Sequence, residues 1–169
     1  MRSLTPAYLA LGLLFSGAAG ALAADYNAGS FEVTATVSDS CAVTLNDLDF
    51  GAYDAGSNKT GSTTLEITCT TGTAYQVGAD KGANGADTSN REMKLTTGTD
   101  LLGYTLTIGT NGGSHLGSNW GDDTAGGSDT IDGTGTGAAV TVTIDGDIPA
   151  SQYVTAGSYS DTVNVTVAY

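Results

Sequence analysis

Apolar residues along the chain recur at every second position, in short runs. Phe31, Val33, Ala35 and Val37 alternate with Glu32, Thr34, Thr36 and Ser38, the period of a strand with one buried face. CAVTLNDLDFG continues the pattern with Val43 and Leu45, then Leu48 and Phe50 before a turn at Gly51. TTLEITC sets Leu65, Ile67 and Cys69 on one face, TAYQVGA does the same for Tyr75, Val77 and Ala79, and REMKL for Met93 and Leu95. DLLGYTLTIGT aligns Leu102, Tyr104, Leu106 and Ile108, and AAVTVTID aligns Val140, Val142 and Ile144. The closing run SYSDTVNVTVAY puts Tyr159, Val163, Val165, Val167 and Tyr169 on one face, with Asp161 the single exception.

Glycine, asparagine and aspartate separate these runs, and no stretch after the amino terminus carries apolar residues at helical spacing. The pattern predicts an all-β sandwich or barrel in one domain. Thr110 to Gly137 is the longest stretch without core periodicity and is expected to be a surface excursion or mobile loop. A second polar loop precedes Arg91. The opening strand poses a question, because a lone strand needs partners for its backbone groups and its apolar face. It is either the first strand of a closed domain or a strand that completes the sheet of another molecule.

The amino terminus, MRSLTPAYLALGLLFSGAAGALAADYN, has a basic residue, a short glycine-containing apolar stretch and Ala21-Leu22-Ala23. This three-part pattern predicts a signal peptide over residues 1–23, cleaved after Ala23. The stretch is too short for a comfortable membrane anchor and no basic cluster follows it. The chain has 5 basic and 18 acidic residues, a formal charge of −13, and loss of Arg2 makes the balance more negative still. Such a chain is expected to bind neither nucleic acid nor an anionic membrane surface. Cys41 and Cys69 are the only cysteines, and an even pair in an exported chain predicts a disulfide. On the chain-entropy account it stabilises by roughly 3–4 kcal/mol.

Catalytic constellations are missing. The sole histidine, His115, stands in a Gly-Ser loop, whereas nucleophilic catalysis needs a base beside the nucleophile. The acidic residues sit mostly in turns, where they serve the backbone. GGSDTIDGTG faintly echoes a calcium-binding repeat, with Asp122, Asp123, Asp129 and Asp132 as oxygen ligands, but only one copy is present. No enzyme, cofactor or resident metal is therefore expected. Trp120 and Tyr153 leave one alternative, a monomeric secreted surface or coat protein with a carbohydrate-binding loop.

Several segments together resemble one family across residues 24–169. They are the strand before Cys41, LDFGAY, EITCTTGTAYQV around Cys69, Arg91-Glu92-Met93 followed by LLGYTLTIG, Trp120-Gly121, IPASQ, and the ending AGSYSDTVNVTVAY. In this order they are similar to the spore coat protein U domain, the pilin domain of archaic chaperone–usher pili. The long acidic Gly/Thr insertion around Trp120 departs from that pattern. The resemblance implies an incomplete immunoglobulin-like β-sandwich that is completed by donor-strand exchange. Residues 24–40 would carry the donor strand, with Phe31, Val33, Ala35 and Val37 pointing into a neighbour's groove. Residues 41–169 would form the domain, with Val163, Val165, Val167 and Tyr169 bordering the acceptor groove and its chaperone-facing edge. The implied partners are identical or homologous pilin subunits in a homopolymer, a periplasmic chaperone and an outer-membrane usher. The implied destination is the cell surface, reached through the periplasm.

Overall fold

The computed structural model describes residues 25–122 and 129–169; the expected signal peptide, residues 1–23, lies outside them. Contacts divide the chain into two units, one ending at Ala35 and one running from Thr36 to Tyr169. In the first, the described residues are exposed and form no strand. The described residues of the second form nine strands: β1 (Cys41–Leu45), β2 (Lys59–Cys69), β3 (Ala74–Ala79), β4 (Arg91–Leu95), β5 (Leu101–Ile108), β6 (Ile131–Thr134), β7 (Val140–Ile148), β8 (Tyr159–Ser160) and β9 (Val165–Ala168). A 3-10 turn at Gly113–His115 is the only helical element among the described residues.

The strands build two antiparallel sheets, a larger one in the order β1-β2-β7-β5-β4-β8 and a smaller one in the order β6-β3-β9. In an immunoglobulin-like sandwich, strands A, B, E and D face strands C, F and G. Here β1, β2, β7 and β4 take the first set, with β5 inserted, and β3 and β9 stand as C and F. The domain is thus an immunoglobulin-like sandwich in which β9 pairs only with β3, through Val167↔Val77 and Val165↔Ala79. Among the described residues no strand takes the G position beside β9.

The two-residue period explains the core. Leu65 and Ile67 of β2, Leu106 and Ile108 of β5, and Val142 and Ile144 of β7 point inward and are buried. They meet Val77 and Ala79 of β3 and Ile131 of β6 in one cluster. Cys41 lies opposite Cys69 in the β1–β2 ladder, and the expected disulfide joins them.

Phe31 to Val37 keep strand periodicity but belong to no ladder, since periodicity creates a face without supplying a partner. Two features differ from the sequence expectations. The closing run is split: β8 pairs with β4 in the larger sheet and β9 with β3 in the smaller one. The chain changes sheets around Asp161, which explains the break in alternation there. Finally, the stretch expected to be a loop contributes to the core. Trp120 is 4% exposed and Ile131 fully buried, and Ile131–Thr134 forms β6 on the free edge of β3. The glycine-rich composition hides two buried anchors that are too far apart to show a period.

One close approach shapes the larger sheet. Gly61 of β2 lies opposite Gly146 of β7, and Leu48 and Phe50 pack on this bare patch. A Cβ at Gly146 would come within 2.6 Å of the Phe50 ring and 2.7 Å of Leu48. Gly146→Val is therefore expected to lift Leu48 and Phe50 and to cost about 1–3 kcal/mol. Urea unfolding of the variant against the parent protein measures the loss.

Candidate functional site

Two walls frame an apolar groove along the open side of the sandwich. The first runs from the end of β1 at Leu45 through the irregular segment that follows, to Tyr53. The second runs from Gln152 through β8 to the start of β9 at Val165. One part of the groove, about 540 Å³, adjoins Leu45 and Val165, with Leu65, Leu106 and Ile144 in its floor. A second part, about 730 Å³, adjoins Tyr53 and Gln152. Both parts share Leu48, Phe50, Met93 and Tyr159, so they form one continuous trough.

Side chains hold the first wall where no ladder does. Asn46 Nδ2 donates to the Thr64 carbonyl at 3.0 Å, and Thr63 Oγ1 donates to the carbonyls of Asn46 and Asp47 at 3.0 Å each. Phe50 meets Tyr104 edge-on with ring centroids 6.2 Å apart. At the far end, Tyr53 Oη donates to the Pro149 carbonyl at 2.8 Å and accepts from the Gln152 amide at 3.2 Å. Gln152 then uses its side-chain amide as a substitute peptide. Its Oε1 accepts from Gly103 N at 2.7 Å and its Nε2 donates to Gly103 O at 2.9 Å. These contacts tie LDFGAY to IPASQ.

The second wall is fastened by two carboxylates. Asp80 accepts from the backbone amide of Asn164 at 2.9 Å and from its side-chain amide at 2.6 Å, while Asp80 N donates to Asn164 O at 2.9 Å. Asp161 accepts from Ala83 N at 2.9 Å and from Tyr104 Oη at 2.7 Å. Burial, and then the Asp161 hydrogen bond and charge, push the Tyr104 phenol far up. Burial raises the Asp80 carboxyl, but the hydrogen bonds from Asn164 and Gly82 and the Arg91 charge outweigh it, leaving it below the ordinary value.

Behind this wall lies Arg91, fully buried. Its guanidinium donates to four backbone carbonyls: Asp80 at 2.9 Å, Thr88 at 2.7 Å, Ala79 at 3.0 Å and Trp120 at 2.6 Å. Burial lowers its pKa from the ordinary value, and neighbouring groups, Asp80 and Asp161 among them, oppose that shift.

Of the residues expected at the acceptor groove, Val163 and Val165 line it. Val167 packs against the core from β9, and Tyr169 is 61% exposed and outside the lining. Phe31, Val33 and Val37 are 88%, 81% and 81% exposed, and Ala35 is exposed as well. Trp120 does not form a carbohydrate platform, because its ring is buried and its Nε1 donates to the Val77 carbonyl at 3.1 Å. Asp132 accepts from Ser114 N and Oγ at 3.0 Å each, and Asp123 lies outside the described residues. The first wall, and the Arg91–Asp80–Asp161 network, were not assigned from sequence. The only signal for the network was Asp161 itself, a carboxylate at an inward-facing position.

Residues 27–166 match the family model of the Spore Coat Protein U domain. No curated protein sequence matches the chain significantly. Among solved structures, it is similar to a chain of the CsuC–CsuE chaperone–tip adhesion subunit pre-assembly complex, from the archaic chaperone–usher Csu pili of Acinetobacter baumannii. The TM-score is 0.59 at 22% identity, covering 79% of this chain and 41% of that one. A chaperone–tip adhesin complex of CFA/I fimbriae biogenesis gives a TM-score of 0.50 at 14% identity, covering 75% and 40%. The chain thus spans about two-fifths of each solved chain, and at these identities the likeness establishes the fold.

Arg91→Met should leave four carbonyls without their donor and lower stability by at least about 3 kcal/mol, read by urea unfolding. Asp80 gives a pH dependence of definite sign. Its folded pKa lies below the ordinary 3.8, so its contribution is complete above that value and is lost as pH falls through the folded one. Stability measured from pH 7 to pH 3 should drop at the acid end, and Asp80→Asn should start lower at pH 7 and show a shallower acid drop.

Proposed function

The chain belongs to the Spore Coat Protein U domain family, and from that premise we propose that it is a structural subunit of an adhesive chaperone–usher pilus. The observation that carries this reading is the apolar trough between Leu45–Tyr53 and Gln152–Val165, beside an edge of β9 that pairs with no strand among the described residues. Such an edge offers backbone donors and acceptors to an added strand, and the pockets beneath it select alternate side chains. The segment Phe31–Val37 has the matching form. Its apolar residues recur every second position and are exposed, and at roughly 3.3 Å per residue it spans about 20 Å.

In this reading Phe31, Val33, Ala35 and Val37 of one copy enter the trough of the next and complete its sheet. Burying Phe31, Val33 and Val37 contributes roughly 1.5–3 kcal/mol each, offset by the cost of ordering and association. Before polymerisation a periplasmic chaperone covers the same trough, which otherwise exposes an aggregation-prone edge. An outer-membrane usher exchanges the chaperone for the next subunit, and the fibre is displayed on the cell surface. The solved complexes that share the fold are chaperone–subunit pairs by their description, which supports a chaperone as the first occupant.

The test is assembly of the full chain with its chaperone and usher. The parent protein should give a ladder of noncovalent multimers and surface fibres. Val33→Asp should abolish fibres while the subunit stays folded in the periplasm, because a charge in an apolar pocket loses water without gaining a partner. Thr34→Asp, one position along, should be tolerated. Val165→Asp should instead deplete the subunit itself, since Val165 packs against the domain's own core. Normal fibres from Val33→Asp would overturn the donor assignment.

A further inference from the structure

The segment proposed as donor leaves the domain from an unusually well-fixed place. Immediately after it, Asp39, Ser40 and Cys41 are each attached to the end of β2 and the turn that follows. Cys41 is bonded to Cys69 by the disulfide and lies opposite it in the ladder. The Ser40 carbonyl accepts from Thr70 N at 2.9 Å and from Thr70 Oγ1 at 3.2 Å. Asp39 Oδ1 accepts from Thr73 Oγ1 at 2.8 Å, and Thr73 is 4% exposed.

The anchor point is itself braced. Thr70 to Thr73 form a turn closed by Thr73 N donating to Thr70 O at 3.1 Å. Gly72 sits at its third position with φ +90°, a conformation that side chains resist and glycine accepts. Gly72 N donates to Gly135 O and Gly135 N to Thr73 O, both at 2.8 Å, and Gly137 N donates to Cys69 O at 3.1 Å. The turn is therefore strapped to the segment between β6 and β7.

We propose that Asp39–Cys41 is a rigid root that makes the joint between successive subunits stiff, a proposal that rests on the donor-strand reading. If a neighbour's trough holds the chain up to Val37 and the root holds it from Asp39, only Ser38 lies between. One residue contributes a single φ/ψ pair to the hinge, far less freedom than a flexible linker gives. The disulfide and the Thr70 and Thr73 hydrogen bonds then act on fibre mechanics, and the root need not touch the trough at all.

The experiment compares fibres of the parent chain with fibres carrying Gly-Ser-Gly-Ser inserted between Ser38 and Asp39. This insertion leaves the donor residues, the disulfide and the trough in place. Fibre yield should be unchanged, while the persistence length measured from electron micrographs should fall at least about threefold, because a Gly/Ser linker behaves as a flexible coil. Thr73→Val, which removes only the bond to Asp39, should give a smaller fall in the same direction. Inserted fibres as straight as the parent's would overturn the rigid root and leave the donor reading standing. A parent chain that makes no fibres would overturn both.

Discussion

A single guanidinium organises the side of the molecule that matters. Arg91 is buried, and its donors end on carbonyls from the end of β3, the loop before β4 and the segment carrying Trp120. No β-ladder joins these three pieces. A fork of fixed donors can satisfy several carbonyls at once, which a lysine cannot do from one point. Once Ala79 and Asp80 are fixed, Asp80 can grip Asn164 and set where β9 begins. Between the ladder pairings of β8 and β9, the second wall of the trough is therefore positioned from behind by polar contacts.

This arrangement leaves the trough open. A strand continuing from Tyr159 to Tyr169 in one sheet would have closed it on one side. Instead the chain leaves β8, turns at Asp161 and enters the opposite sheet as β9. Asp161 stabilises the crossing through Ala83 and Tyr104. Val163, between the two carboxylate anchors, is left lining the groove. The opposing wall rests on the Gly61–Gly146 pair. Both walls thus depend on departures from regular strand structure, a glycine patch on one side and a polar crossover on the other.

Those departures mark the limit of what the sequence disclosed. Strands with clean alternation were legible: Leu65, Ile67 and Cys69, or Leu102 to Ile108, fall where the period puts them. The cysteine pair was equally plain. Trp120 and Ile131 were not, since each is a single anchor among glycines and aspartates with no neighbour at strand spacing. Arg91 was invisible as a core residue because composition assigns arginine to the surface, and its partners are backbone atoms that no side-chain pattern reveals. Asp161 was noticed only as an irregularity, and its meaning needed Tyr104 and Ala83 beside it. For the groove, the sequence pointed to the closing strand, whereas Leu45 to Tyr53 form an equal share of the boundary.

The same network bears on proteolysis. An enzyme that cuts after lysine or arginine needs a stretch of chain that is exposed or has opened locally to enter its cleft. Beyond the amino terminus this chain offers four such positions, Lys59, Lys81, Arg91 and Lys94. Lys59 and Lys94 are ladder residues, and Arg91 is sealed inside. Lys81 alone lies outside a strand, in a turn whose next residues, Gly82 and Ala83, are tethered to Asp80 and Asp161. The carboxylates that set the second wall therefore also guard the one trypsin-type site outside the ladders, and a folded copy should resist digestion until that tether opens.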